Sequence, residues 1–199
     1  MKTVLHIGCG GHHLRGSKGF DHENWREIRL DINPAVAPDI VSSITDLSGV
    51  ANASMDAVYT SHCLEHIYPH EVPTALARIH YALKADGFAV ITVPDIQETA
   101  AAIVAGNLTE PLYHSPAGPI APLDIIYGWR PALERGEVYM AHKTAFTETT
   151  LKQACKDAGF QSVISLRYAP CNLSVVATIL PRSNDDLETL LARHVGGQK

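Results

Sequence analysis

Glycine, acid and histidine residues recur in this chain at spacings suited to holding a nucleotide-like ligand. Gly8-Cys9-Gly10-Gly11 directly follows a short apolar run at 3–7. A turn without Cβ atoms lets the backbone approach a ligand closely and aim its N–H groups at it. Asp31 ends the next apolar run, where a carboxylate can accept hydrogen bonds from both hydroxyls of an adenosine ribose. A dinucleotide pyrophosphate needs a further glycine where this chain has His13, and a helix right after the turn, which the stretch to Asn24 does not promise. The pair therefore favours an adenosine-containing ligand that lacks a dinucleotide pyrophosphate, and disfavours NAD.

Histidine is plentiful, at 11 residues. His62, His66 and His70 are spaced by four, which on one continuous helix would make a metal-binding stripe, but Pro69 and Pro73 interrupt such a helix. No metal site is expected there, since zinc takes three or four convergent ligands, and His66 reads as a helix-packing side chain. His12-His13 reads as a solvated pair in a polar loop. Cys9, Cys63, Cys155 and Cys171 form no C-x-x-C pair and read as free thiols.

These residues need a scaffold, and the apolar pattern supplies one. Runs at 3–7, 27–30, 39–41, 55–59 and 88–93 read as strands, the first of them buried on both faces. Over 72–83, Val72, Ala75, Leu76, Ile79 and Leu83 recur at helical spacing, and Lys84-Ala85-Asp86-Gly87 is expected to turn the chain back. This alternation predicts a doubly wound α/β sheet with ligands at the carboxyl ends of its strands. From 95 to about 145 the pattern gives way to Pro, Gly and aromatics, with only 98–105 helical, as in an active-site lid. Thr147 is placed to N-cap a helix carrying Leu151, Ala154, Cys155 and Ala158 on one face and stopping at Gly159. Strands follow at 161–167 and 174–179; the intervening 168–173 is too short for a parallel crossover, so the two pair antiparallel or are not neighbours. A helix at 185–192 and a frayed tail complete the expectation.

The length of 199 residues, 46% hydrophobic, suits one domain. Lys plus Arg is 16 against 21 for Asp plus Glu, a net charge of −5 with no dense basic run, which speaks against a nucleic-acid partner. No segment approaches the ~20 apolar residues of a membrane span. A cytoplasmic protein with no membrane partner is expected.

Several motifs in order make the reading specific. Leu5-His6-Ile7-Gly8-Cys9-Gly10, Asp31, Thr45-Asp46-Leu47, the run from Ser61 to Leu64-Glu65-His66, and Leu83-Lys84-Ala85-Asp86-Gly87 resemble class I S-adenosylmethionine-dependent methyltransferases. The chain is most similar to the short form of the methyltransferase type 11-like group, over about 3–95 with a weaker stretch at 142–160. The resemblance implies a Rossmann-like methyltransferase fold, its mainly parallel doubly wound sheet closed by a C-terminal antiparallel hairpin and its first crossover shortened to a loop. It implies S-adenosylmethionine as cofactor, with Gly8, Cys9 and Gly10 along the methionine part, Asp31 at the ribose and Asp46 with Leu47 at the adenine. Ile32 and Thr45 complete that set, and Ser61 and His62 close the pocket. The family often has an acidic residue where this chain has His6, and a third glycine where it has His12.

A sulfonium already activates its methyl group, so such a protein has mainly to align acceptor, methyl and sulfur and to exclude water. A hydroxyl acceptor also loses a proton near the transition state, for which His142, His114 and Asp95 are the candidates. His142 lies just before the second regular helix, where methyltransferases of this type often present an acceptor-side histidine. Tyr113, Tyr127, Trp129 and Tyr139 are candidates for the wall of an acceptor pocket. The expected division is a cofactor half at 1–94, an acceptor-side insertion at 95–146, completion of the sheet at 147–180 and a tail at 181–199. The expected reaction is O- or N-methylation of a small molecule, with a loose lean toward sugars or secondary metabolites. The competing readings are a protein that binds S-adenosylmethionine or S-adenosylhomocysteine without transfer and, further off, an NAD-dependent oxidoreductase.

Overall fold

Side chains that alternate across each strand give this sheet two separate cores. In the computed structural model, which describes residues 1–15 and 19–195, the chain runs β1 (Lys2–Ile7), β2 (Trp25–Asp31), β3 (Ile40–Val41), β4 (Met55–Ser61), α1 (Val72–Ala82) and β5 (Leu83–Pro94). It continues through α2 (Ile96–Val104), a small hairpin of β6 (Tyr113–Ser115) and β7 (Gly118–Ile120), α3 (Pro122–Tyr127) and α4 (Arg130–Glu134). It ends with α5 (Glu148–Asp157), β8 (Ser162–Tyr168), β9 (Asn172–Thr178) and α6 (Asn184–His194). The main sheet has the order β3-β2-β1-β4-β5-β9-β8. β1 to β5 are parallel, and β9 runs antiparallel to both β5 and β8. The mainly parallel sheet closed by an antiparallel C-terminal pair thus matches expectation, as do α1, α5 and the Thr147 cap, whose side chain accepts from the Thr150 amide.

Leu5, Ile7, Val58, Ala89, Ile91, Leu173 and Val175 face one core, into which α1 sends Leu76 and Ile79 and α5 sends Leu151 and Cys155. Val4, Ala57, Tyr59, Phe88, Val90 and Val176 face the other. On that second face the described residues of the first crossover form no helix. Leu14 and Phe20 from the crossover loop, with Leu190, Leu191 and Val195 at the end of the chain, fill the space instead. The C-terminal helix is therefore part of the core and, where fraying was expected after 192, it runs on to His194 with Val195 buried; residues 196–199 of the tail lie outside the described residues.

Two expectations need correction. Lys84 to Gly87 is not a simple helix-ending turn but a bulge within β5: Leu83 pairs with Met55 and Phe88 with Ala57, so the intervening residues loop out of register. The segment 95–145 is also more ordered than its composition promised, with a hairpin and two short helices beyond α2. The order comes from local polar bonds that periodicity does not reveal. The Asp124 carboxylate, 4% exposed, accepts from the Ala121 amide and from the backbone and guanidinium of Arg130, fastening α3 to α4.

His194 closes the second core. Its ring lies 4.5 Å from Phe20 and 4.8 Å from Phe88, and its Nδ1 has no hydrogen-bond partner among the described residues. Burial pushes its pKa down to about 4, with Arg193 and Lys2 pushing the same way. An unfolded histidine takes up a proton near pH 6.5, before the folded one does. Stability should therefore be intact above that pH and fall by roughly 2 kcal/mol, allowing for solvent screening, as the pH drops toward 4. Urea unfolding of wild type and His194→Leu at both ends of this window checks it: the pH-dependent loss should shrink in the variant.

Candidate functional site

β1 delivers Gly8 to the carboxyl edge of the sheet with a φ of +65°. A Cβ at that position would lie 2.7 Å from Cys63 Sγ, so the turn is packed against the segment after β4 and only glycine fits. The Gly8 and Cys9 amides both donate to the Leu30 carbonyl, and the His12 amide donates to that of Cys9. The Gly10 amide donates to Asp31 Oδ2 at 2.8 Å and the Asn33 amide to Oδ1 at 2.9 Å. Those two donors fix the carboxylate and leave lone pairs on each oxygen for a diol. Beside it Ile32 is 52% exposed, an apolar surface next to an acid. The Asp46 and Leu47 amides turn onto the Ser43 carbonyl, with Leu47 buried, Asp46 exposed, and the Thr45 hydroxyl 2.8 Å from that of Ser43. An oriented carboxylate between a glycine turn and an apolar ledge fits an adenosyl group.

Two residues that hold this turn were missed in the sequence, both on β2. His6 is 6% exposed and bonds through Nδ1 to Glu27 Oε1 at 2.8 Å. Glu27 also accepts from the Leu14 amide and pairs with the exposed His13. Burial lowers the His6 pKa by more than Glu27 raises it, so a neutral imidazole donates to a carboxylate. Burial works against that carboxylate, but His6, the Leu14 amide and His13 together keep its pKa low. Glu27 on β2 thus places a carboxylate beside His6 on β1. Arg29, 9% exposed, donates to the carbonyls of Gly10, His12, Val36 and Ala37, tying the glycine turn to the loop after Asp31. The available signal was Glu27 and Arg29 at alternate positions of a strand whose neighbours are apolar, which is unusual in a parallel sheet. Arg29→Met should leave these carbonyls short of donors and cost roughly 2–4 kcal/mol. Denaturant unfolding checks the loss, and weaker binding at the turn should accompany it.

A second cluster forms where β4 ends. His62 has a φ of +52°, its amide donates to Thr92, and its ring lies 3.1 Å from Asn172 Oδ1 and 3.4 Å from Glu65 Oε1. Glu65 and His66 belong to a single 3-10 turn, Leu64–His66, so the proline-interrupted stretch is not one helix and His70 is exposed away from it. The Glu65 carbonyl accepts from the amides of Lys143 and Thr144, which fastens the 141–144 segment to this turn. His142 is anchored by its amide to Tyr127 and by Nδ1 to the Ile125 carbonyl at 2.7 Å. Its ring meets that of His66 edge-on at 4.7 Å. Burial lowers the His142 pKa although Glu65 opposes it. Burial would raise that of Glu65, but His62 above all keeps it low.

Of the three candidates for handling a proton, only His142 joins this cluster. Asp95 is 0% exposed and caps α2: Oδ1 accepts from the Gln97 amide and Oδ2 pairs with Arg167, so both oxygens are engaged. His114 is exposed on β6, opposite Pro119. Among the aromatics, Tyr113 is half-buried and burial pushes its hydroxyl up to about 12, whereas Tyr127 and Tyr139 are exposed and Trp129 lies under Arg135. All four cysteines are free thiols.

A family model described as a methyltransferase domain matches residues 1–166. No curated protein matches the chain. Among solved structures, a Pyrococcus horikoshii protein is 12% identical with a TM-score of 0.61, over 89% of this chain and 81% of its own. A protein from Archaeoglobus fulgidus described as an S-adenosylmethionine-dependent methyltransferase is 18% identical with a TM-score of 0.56, over 88% and 85%. One from Listeria monocytogenes with the same description is 17% identical with a TM-score of 0.56, over 90% of both chains. At such identities the likeness is one of fold.

Proposed function

This chain belongs to the methyltransferase domain family, and on that premise we propose that it transfers the methyl group of S-adenosylmethionine to an oxygen or nitrogen of a small-molecule acceptor. The observation that carries this reading is the Asp31 carboxylate, held by the Gly10 and Asn33 amides at the mouth of a turn whose Gly8 is packed on Cys63. In this reading Gly8, Cys9 and Gly10 border the methionine end and Asp31 takes the ribose. Ile32, Thr45, Asp46 and Leu47 take the adenine, and Ser61 and His62 form the remaining wall. When bound, the cofactor supplies a methyl group already activated by its sulfonium.

What the chain's own residues add is alignment and exclusion of water. The segment 95–146, fastened to the carboxyl end of β4 through the Glu65 carbonyl, covers the acceptor side. His142 presents its Nε2 lone pair there, because Nδ1 donates to a carbonyl. We assign it to the acceptor, receiving a hydroxyl proton or holding the group in place. The net charge of −5 supports a small molecule over a polyanion. The test is incubation with methyl-labelled S-adenosylmethionine and a fractionated metabolite extract. Label in the low-molecular-weight fraction is the expected result; label confined to protein or nucleic acid contradicts the proposed acceptor class.

A further inference from the structure

Glu65 is 1% exposed, and neither of its carboxylate oxygens has a hydrogen-bond partner among the described residues. Its ion-pair neighbour, His62 at 3.4 Å, has a side chain 44% exposed. A carboxylate withdrawn from water is costly unless a cation or a set of donors compensates. This one faces two imidazoles: ligand atoms of Glu65, His66 and His142 all lie within 4.8 Å of one another. Both rings donate from Nδ1 to backbone carbonyls, His66 to Ala141 and His142 to Ile125. That outer hydrogen bond fixes the tautomer and aim of a metal-ligating histidine and leaves Nε2 as the donor atom.

We propose that Glu65, His66 and His142 form a binding site for a divalent transition-metal ion, with two imidazole nitrogens and one carboxylate oxygen as protein ligands. Imidazole with a single carboxylate suits Zn²⁺, Co²⁺, Fe²⁺ or Mn²⁺ better than Ca²⁺ or Mg²⁺, which favour all-oxygen sets. Bonds near ~2.1 Å place ligand atoms roughly 3.0–3.4 Å apart, so closing the site takes little more than side-chain rotation. The ion neutralises the buried carboxylate and clamps His142, from the 95–146 segment, onto the turn that follows β4. Three protein ligands leave coordination positions open. Resting on the reading of 95–146 as the acceptor side, those positions take an acceptor with two neighbouring oxygen donors, such as paired hydroxyls or a hydroxyl beside a carbonyl. His142 then serves the acceptor as a ligand of the ion that holds it, not as a free base.

The test is titration of chelator-treated protein with Co²⁺, followed by visible absorption, with S-adenosylhomocysteine titrated calorimetrically into the same samples. A saturable band at one ion per chain is expected, weakened at least about tenfold in Glu65→Gln and His142→Ala and unchanged in His70→Ala, an exposed histidine outside the cluster. S-adenosylhomocysteine affinity should be the same in wild type, His142→Ala and His70→Ala, whereas Glu65→Gln also alters the partner of His62. If Glu65→Gln fails to fold, His142→Ala decides. No Co²⁺ band, or one equally strong in wild type and His142→Ala, overturns the metal site; if S-adenosylhomocysteine still binds, the methyltransferase reading stands. Failure of S-adenosylhomocysteine to bind overturns that reading instead, while the Co²⁺ comparison still decides the metal site.

Discussion

Asp31→Ala is expected to weaken S-adenosylhomocysteine binding by at least about 100-fold while the protein stays folded. Hydrogen bonds to a charged group contribute about 1.5–3 kcal/mol each. Two of them to the ribose diol come to roughly 3–6 kcal/mol, and each 1.4 kcal/mol is a factor of ten in affinity. The same carboxylate also holds the Gly10 and Asn33 amides, so its removal loosens the turn that shapes the methionine end. Asp46→Ala should cost much less, about tenfold, because Asp46 is exposed at the rim. Calorimetric titration gives both affinities and thermal melting confirms the fold. An Asp31→Ala protein with wild-type affinity would place the ribose elsewhere.

Gly128→Ala is expected to cut methyl transfer by about 100-fold and to leave S-adenosylhomocysteine affinity within about threefold of wild type. Gly128 has a φ of +101°, and a Cβ there would lie 1.9 Å from the Met140 carbonyl oxygen and 3.1 Å from Ala141 Cα. Both contacts are backbone, so no side-chain rotation relieves them. The strands of chain at 125–128 and 140–142 must separate, yet their contact positions His142 through Tyr127 and Ile125. A displacement of about an ångström near the chemistry can cost two orders of magnitude in rate. The cofactor turn is built from other elements and should not respond. Transfer of label into the metabolite fraction, measured beside calorimetric affinity, separates the two effects. Equal loss of both would mean that residues 95–146 support the cofactor site, and loss of neither would remove them from the acceptor side.

The parts legible in the sequence are those governed by short-range pattern. Short apolar runs marked β1, β4 and β5 as strands, and the recurrence of Leu76 and Ile79 marked α1. The nearness of the glycine turn and Asp31 was legible because both stand at strand ends, and the Gly10 amide indeed meets that carboxylate. The rest depends on contacts between distant positions. Glu27 and Arg29 act on a loop that precedes them in sequence and that only the sheet register brings over β2. The bulge at Lys84 to Gly87 appears only once β5 is paired with β4. The weight carried by α6 follows from the first crossover having no helix among its described residues, which leaves Phe20 and His194 to pack together. Likewise the spacing of His62, His66 and His70 drew attention to a helix stripe, whereas His66 meets His142 through the fold.

Calorimetric titration with S-adenosylhomocysteine and, separately, with NAD tests the assignment of the glycine turn most directly. Saturable binding of S-adenosylhomocysteine at one site per chain, lost in Gly8→Val and not mimicked by NAD, is the predicted result. Saturable binding of NAD with none of S-adenosylhomocysteine would contradict it.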